Sequence, residues 1–192
     1  MPKIFSESDR EIIRNKLLEE GIKALETKRY RNISLDDITS SVGIAKGTFY
    51  HFFPSKERFF YEVMHHIKKR NRTELSALAQ KGPLSQETME NFLYYRYMHT
   101  KTVYDYFTAE EMNLILRKLP DGDSENDSVE FAKQLCEYIH VQNPEIKPDV
   151  IVNMCNVLAL TASNKNMLEE NAYSETIHLL CKTLANYIFG GK

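Results

Sequence analysis

The side chains with the clearest capacity for chemistry in this 192-residue chain lie between Ser34 and Arg58. The set comprises Ser34, Ala45, Lys46, Gly47, Thr48, Tyr50, His51 and Lys56. Small residues let a helix approach a surface closely, and the polar side chains among them can donate hydrogen bonds to phosphate oxygens or to base edges. We therefore predict that these residues bind double-stranded DNA, with a short helix of about two turns in the major groove.

Two helices joined by a glycine are predicted to hold this set. Ser34 can cap the first helix, with Asp37 reaching back in a capping box. The apolar residues of that helix, which recur at helical spacing and predict one buried side, are Leu35, Ile38 and Val42. Gly43 tolerates the positive φ of a tight corner. Ser55 can cap the next long helix, where a bound phosphate would favour Lys56 in the first turn.

One segment of the chain, from Ile38 to Glu57, reads Ile-Thr-Ser-Ser-Val-Gly-Ile-Ala-Lys-Gly-Thr-Phe-Tyr-His-Phe-Phe-Pro-Ser-Lys-Glu. It closely resembles the signature of the TetR family of one-component transcriptional regulators. This resemblance implies an all-α fold of about nine helices, in which a helix-turn-helix DNA-binding domain precedes a helical ligand-binding and dimerisation domain. It also implies a repressor that a small-molecule ligand releases from its palindromic operator.

The chain departs from that signature at two positions. Tyr30-Arg31-Asn32 stands where a glycine is common before the second helix, and Ala45 stands where a serine often caps the third. The first departure adds a possible basic contact at Arg31, and the second concerns a single possible phosphate or base contact.

The net charge of −2 is unevenly distributed along the chain. Residues 1–80 carry 15 Lys and Arg against 11 Asp and Glu, whereas residues 81–192 carry 10 against 16. A basic excess beside the predicted reading segment favours a nucleic-acid partner. We divide the chain accordingly into a DNA-binding domain, residues 1–55, and a helical ligand-binding and dimerisation domain, residues 56–192.

The composition excludes several classes of protein. The sequence has no apolar run long enough to span a bilayer and no signal-peptide core, which predicts a soluble cytoplasmic protein without membrane association. Cys136, Cys155 and Cys181 are widely spaced and odd in number, which argues against a disulfide framework or a zinc site. No glycine-rich phosphate loop, metal cluster or catalytic arrangement is recognisable, so we predict neither an enzyme nor a bound cofactor.

A second candidate site lies in an aromatic stretch of the carboxyl-terminal part. Rings, methionines and a few polar groups there predict either core packing or a cavity for a small-molecule effector. The candidate ligand-binding residues are Phe92, Tyr95, Arg96, Met98, His99, Thr102 and Met112, with Arg96 suited to an anionic ligand.

The last two helices predict a homodimer. Residues 149–189 carry apolar side chains outside a single stripe, which indicates one face for the chain's own core and another for a second copy in a four-helix bundle. An alternative to the ligand-released repressor is a DNA-binding adaptor whose helical domain responds to a protein partner.

Overall fold

The computed structural model describes residues 6–120, 127–138 and 145–190, and these residues form helices with no strand among them. The predicted all-α fold is confirmed. The helices are α1 (Glu7–Thr27), α2 (Leu35–Val42), α3 (Lys46–Phe49), α4 (Lys56–Ala79), α5 (Gln86–His99), α6 (Val103–Tyr106), α7 (Ala109–Arg117), α8 (Asp127–Tyr138), α9 (Pro148–Ser163) and α10 (Glu170–Phe189). Short 3-10 turns span Tyr30–Asn32 and Lys165–Met167. Within the described ranges, no helix combines the length and apolarity needed to cross a bilayer.

The described residues form two compact units. Residues 6–67 and 106–120 make the first unit, which we call the head, and residues 68–105, 127–138 and 145–190 make the second, which we call the body. These units do not coincide with the predicted division at residues 55 and 56. The head extends further because Phe59, Phe60 and Val63 of α4 are completely buried in it.

The head is built on a cluster of phenylalanine rings. Phe49 packs against Phe53 and Phe59 with ring centroids 5.5 and 5.2 Å apart, and Phe59 packs against Phe60 at 4.9 Å. All four rings are fully buried. Pairs of this kind each contribute about 0.5–1.5 kcal/mol beyond the burial of their area. The cluster therefore fixes α3, which is too short to hold its own shape, against α4.

Helix α1 supports this cluster through a very close approach at Gly21. The helix begins with a capping box in which Ser6 Oγ accepts from the Asp9 amide at 3.1 Å. On its buried side, a Cβ atom added at Gly21 would lie 2.7 Å from Phe59 Cζ and 2.9 Å from Val63 Cγ2. Glycine is required here because any side chain would overlap atoms that are themselves buried.

The body is a helical bundle in which α5 packs along α10, and α8 and α9 pack alongside. Its core is almost entirely aliphatic, and the fully buried centre includes Ile177, Cys181, Leu184 and Ala185 of α10. Three large apolar side chains on α9 and α10 remain exposed. They are Val157, Leu160 and Leu179.

Gly21→Ala should destabilise the head. An alanine normally stabilises a helix interior by about 1 kcal/mol relative to glycine, but overpacking a filled core costs about 1–3 kcal/mol. We expect a lower urea midpoint in unfolding followed by circular dichroism. Gly47→Ala is the matched control because an added Cβ there meets no atom within 4 Å, and its midpoint should not fall. Equal midpoints for the two variants would contradict the close approach.

Candidate nucleic-acid interface

The corner between α2 and α3 has the geometry that the glycine predicted. Gly43 adopts a left-handed conformation with φ of 76° and ψ of 32°. Its amide donates to Ser40 O at 3.1 Å, and the next amide, of Ile44, donates to Thr39 O at 3.0 Å. These bonds satisfy carbonyls at the end of α2, so the chain can turn at once into the following segment.

The amino end of α2 differs in one detail from the prediction. Ser34 Oγ accepts from the Asp36 amide at 3.1 Å, so Ser34 does cap the helix. The predicted capping box with Asp37 is wrong, because the Asp37 carboxylate instead pairs with Lys28 Nζ at 3.1 Å. The hydroxyl of Ser34 is thus committed to the helix end.

Helix α3 is a single α-helical turn and is shorter than the two turns predicted. Two further turns follow it, in which the amides of Phe52 and Phe53 both donate to Phe49 O, at 2.9 and 3.0 Å. Ala45 supplies no side-chain cap at its start. The segment keeps its direction because Phe49 and Phe53 are buried in the head.

The outer side of this segment carries most of the predicted DNA-binding set. Ala45, Lys46, Gly47, Tyr50 and His51 are exposed. Thr48 in the same segment is half-buried, as is Ser34 at the amino end of α2. The structure thus brings together a small, basic and hydroxylic surface on one short segment. We call this surface, formed by Ala45 to His51, the reading surface.

Lys46 has an internal partner that the sequence did not reveal. Its Nζ lies 3.0 Å from Asp36 Oδ2, and both side chains are more than half exposed. The hydrogen bond to Asp36 and the charge of that carboxylate raise the pKa of Lys46 above its usual value. Lys46 is therefore a cation whose charge is already partly balanced by α2.

Lys56 occupies a different position from the one expected of a phosphate contact. Its Nζ donates to Ile33 O at 2.7 Å and lies 4.9 Å above the ring of Tyr30. Burial lowers the pKa of Lys56. The ammonium is used within the head, where it holds the backbone just before α2 against α4. The predicted phosphate contact at this residue gains no support from the geometry and stays a prediction.

The segment just before α2 is also held by α4 and α7, within the head. Glu57 accepts hydrogen bonds from Tyr30 Oη at 3.3 Å and from Lys118 Nζ at 2.8 Å. Burial acts to raise the pKa of Glu57, but the bond from Lys118 and the other donors outweigh it and leave this pKa below 4.5. Arg31, the possible basic contact, pairs with Glu110 of α7 at 2.9 Å.

Six of the seven predicted ligand-binding residues lie in the body, some exposed and some buried. The rings of Tyr95 and His99 are tilted by 42° with centroids 5.1 Å apart, and both residues are exposed. Phe92 and Met98 pack on the body's core. Met112 belongs to the head.

Arg96 and Thr102 of this set are buried in the body. Thr102 Oγ1 lies 2.8 Å from Ser163 Oγ, and Asp105 Oδ2 accepts from both the Thr102 amide and Ser163 Oγ. Asp105 and Ser163 carry no signal in the sequence that would mark them, because only the fold brings them to Thr102. Ser163 also lines an open groove of about 510 Å³ at the end of α9.

Known proteins contain sequences similar to the helix-turn-helix of this chain. The family model described as bacterial regulatory proteins, tetR family, matches residues 17–63. The HTH-type transcriptional regulator EthR of Mycolicibacterium smegmatis is 42% identical over 48 residues. Residues 17–63 of this chain are thus similar to the TetR family. The alignment with EthR covers 25% of this chain and only 22% of EthR.

Solved structures share the fold of this chain over nearly its whole length. A TetR-family transcriptional regulator from Pectobacterium atrosepticum superposes with a TM-score of 0.63, covering 96% of this chain and 97% of that one. Reduced NemR of E. coli gives a TM-score of 0.51, covering 92% and 96%. Each is 18% identical to this chain, so these likenesses concern the fold alone.

Glu57→Gln should weaken the head in a pH-dependent way. A carboxyl group with a lowered folded-state pKa contributes stability that is present above its unfolded pKa of about 4.5 and is lost as the pH falls through the lower folded value. At pH 7 we expect the melting temperature of the variant to be about 2–4 °C below that of the wild type. This shift corresponds to a loss of about 1 kcal/mol in the free energy of unfolding for a chain of this length. The difference in melting temperature between the variant and the wild type should be smaller at pH 3.

Glu110→Gln is the control for this pH dependence, since the Glu110 side chain is 80% exposed and exposed ion pairs contribute little. Its melting temperature should follow the wild type at both pH values. If the melting temperature of Glu57→Gln differs from that of the wild type by the same amount at pH 7 and pH 3, the charge of Glu57 contributes nothing to the stability of the head.

Proposed function

We propose that this chain is a transcription regulator that binds operator DNA through the reading surface and represses until a small molecule releases it. The observation that carries the proposal is an exposed, small and basic segment held on a rigid aromatic core. A surface that must enter a major groove needs both low bulk and a fixed direction. The match of residues 17–63 in the head to the family model of bacterial regulatory proteins, tetR family, supports the same role.

Gly47 gives the most specific support for a contact outside the chain. Glycine is costly inside a helix, yet nothing in the head requires it here, because an added Cβ would meet no atom within 4 Å. Its φ also lies outside the left-handed region that favours glycine. A close approach by another molecule accounts for the missing side chain, and a DNA backbone or base edge is the partner that Lys46 and Thr48 beside it suit.

The polar side chains of the reading surface divide into two roles under this proposal. Lys46, Tyr50 and His51 are donors for phosphate oxygens, which position the protein without reading sequence. Thr48 carries a hydroxyl for a base edge and a methyl group for the methyl of thymine. Because α3 is a single turn, one copy makes few base contacts, and a specific site needs two.

A second copy supplies the missing contacts if the chain is a homodimer through residues 149–189. Val157 and Leu160 of α9 are 53% and 42% exposed, and Leu179 of α10 is 58% exposed. Exposed apolar residues on two adjoining helices support burial against the same helices of a second copy. Two heads related by a two-fold axis would bind half-sites about one helical turn, about 34 Å, apart.

Release by a ligand requires that the ligand bind better to a conformation that fits DNA poorly. Helix α4 is continuous from Lys56 to Ala79 and contributes residues to both the head and the body. We infer that a ligand bound in the body acts on the head through this helix. An unchanged operator affinity in saturating ligand would exclude this mechanism.

Lys46→Ala should weaken binding to every duplex by about tenfold, because it removes a phosphate donor and leaves Asp36 as an unbalanced anion near DNA. The measurement is fluorescence anisotropy with a duplex selected by the wild-type protein from a random library. Lys23→Ala is the matched control, since Lys23 is also an exposed head lysine paired with a carboxylate, Glu20. Equal losses in both variants would argue against a specific reading surface.

Val157→Asp should raise the dimer dissociation constant by at least about tenfold, because an interface would have to bury an unpaired carboxylate. Sedimentation velocity measures this, and operator affinity should fall with it. Ile12→Asp is the control, because Ile12 has the same 53% exposure but lies on α1. A Val157→Asp protein that remains as dimeric as the Ile12→Asp protein would place the interface elsewhere.

A further inference from the structure

Arg96 is a buried cation whose hydrogen bonding is incomplete. Only 7% of this residue is exposed. Its Nη1 donates to Thr100 Oγ1 and its Nη2 donates to Lys101 O at 3.3 Å, whereas its Nε has no hydrogen-bond partner. Among the residues that the structure describes, no carboxylate forms an ion pair with Arg96. Burying a charge in this condition is costly.

The acidic groups nearest to Arg96 do not balance it. Burial lowers the pKa of Arg96, while the charges of Glu74 and Asp105 act in the opposite direction and only partly offset it. Asp105 Oδ2 is already occupied by the Thr102 amide at 2.5 Å and by Ser163 Oγ at 3.0 Å. Glu74 is exposed to solvent on α4. The guanidinium therefore lacks an anion at contact distance.

A structural role explains part of this arrangement. A cation near the carboxyl end of α5 interacts favourably with the helix dipole, and the bonds to Thr100 and Lys101 hold the turn that follows. That role uses Nη1 and Nη2, and it does not explain why the buried Nε has no hydrogen-bond partner. Nε and one Nη present two parallel N–H groups, which match the two oxygens of a carboxylate. The Nη2 bond of 3.3 Å is long enough to be exchanged for a charge-assisted one.

The segment Thr100–Thr102 connects Arg96 to the open groove. Thr100 and Lys101 bond to the guanidinium, and Thr102 bonds to Ser163 in the groove wall. Further along, Lys165 lines the groove with its ammonium 5.6 Å above the ring of Tyr173. The other lining residues are Asn166, Leu168 and Glu170. The groove thus offers an apolar side chain and a cation near the segment that accepts hydrogen bonds from Arg96.

We propose that Arg96 recognises an organic carboxylate, which reaches its Nε edge from the groove by displacing the Thr100–Thr102 segment. This inference rests on the proposed function, in which a small molecule bound to the body controls DNA binding, and it names the chemical class of that molecule. The carboxylate supplies the missing anion, and its two oxygens occupy Nε and Nη2 together.

The test is calorimetric titration of the full chain with benzoate and hexanoate, each paired with its neutral isostere, benzamide or hexanamide. We expect saturable binding of at least one carboxylate and at least about tenfold weaker binding of its amide, because only the anion compensates the buried charge. Failure of both carboxylates to bind at concentrations up to about 10 mM would overturn the inference, as would amides that bind equally well.

Arg96→Lys separates recognition from folding. Lysine keeps the positive charge near the end of α5 but lacks the two parallel donors, so carboxylate affinity should fall by at least about tenfold while the melting curve stays cooperative. Lys182→Gln is the control because it removes an exposed cation from α10 of the same unit, and its affinity should match the wild type. Undiminished binding by Arg96→Lys would overturn the assignment.

Operator binding measured on the same samples separates this inference from the proposed function. A carboxylate that binds through Arg96 without changing operator affinity would support the inference and contradict release by a ligand. A protein that binds operator DNA but neither carboxylate would contradict the inference and leave the DNA-binding role intact.

Discussion

The burial of Phe49 among Phe53, Phe59 and Phe60 is the interaction on which the rest of the head depends. Helix α3 is one turn long, and a single turn has no stability of its own in water, since helix nucleation fixes several residues for one hydrogen bond. The ring of Phe49 converts this weak element into a rigid one, because it is completely buried between rings of the following turn and of α4. The backbone that carries the outward side chains of the reading surface is therefore held in one position.

The same cluster sets strict limits on its surroundings. Gly21 allows α1 to approach Phe59 so closely that no side chain fits between them. Lys56 covers the neighbouring ring of Tyr30 with its ammonium and binds the Ile33 carbonyl. One side chain of α4 therefore contacts both the backbone that enters α2 and the ring of Tyr30.

Local signals in the sequence predicted much of this architecture. The glycine at position 43 and the apolar spacing of α2 depend only on neighbouring residues, and the helix, its cap at Ser34 and the left-handed corner are all present. Contacts between distant residues were not predictable in the same way. The ion pair of Lys46 with Asp36 and the internal role of Lys56 arise only once α2, α3 and α4 have packed.

The aromatic stretch on α5 shows what the sequence pattern did not predict about burial. Its ring density predicted a cavity or a core, but periodicity does not say which rings the neighbouring helices cover. Packing against α10 covers one side of α5. Tyr95 is left 63% exposed, whereas the next residue, Arg96, is only 7% exposed. The burial of a charge, rather than the aromatic content, is what marks the stretch as unusual, and only the tertiary structure reveals it.

The pairing of Lys46 with Asp36 has a consequence for how ionic strength would affect the proposed DNA complex. A lysine that approaches a phosphate together with its own carboxylate neutralises less of the duplex charge than an isolated lysine does, so fewer condensed cations leave the DNA. Added salt also screens the internal pair and lowers the cost of breaking it. The complex should therefore tolerate salt better than a count of lysines near the duplex suggests.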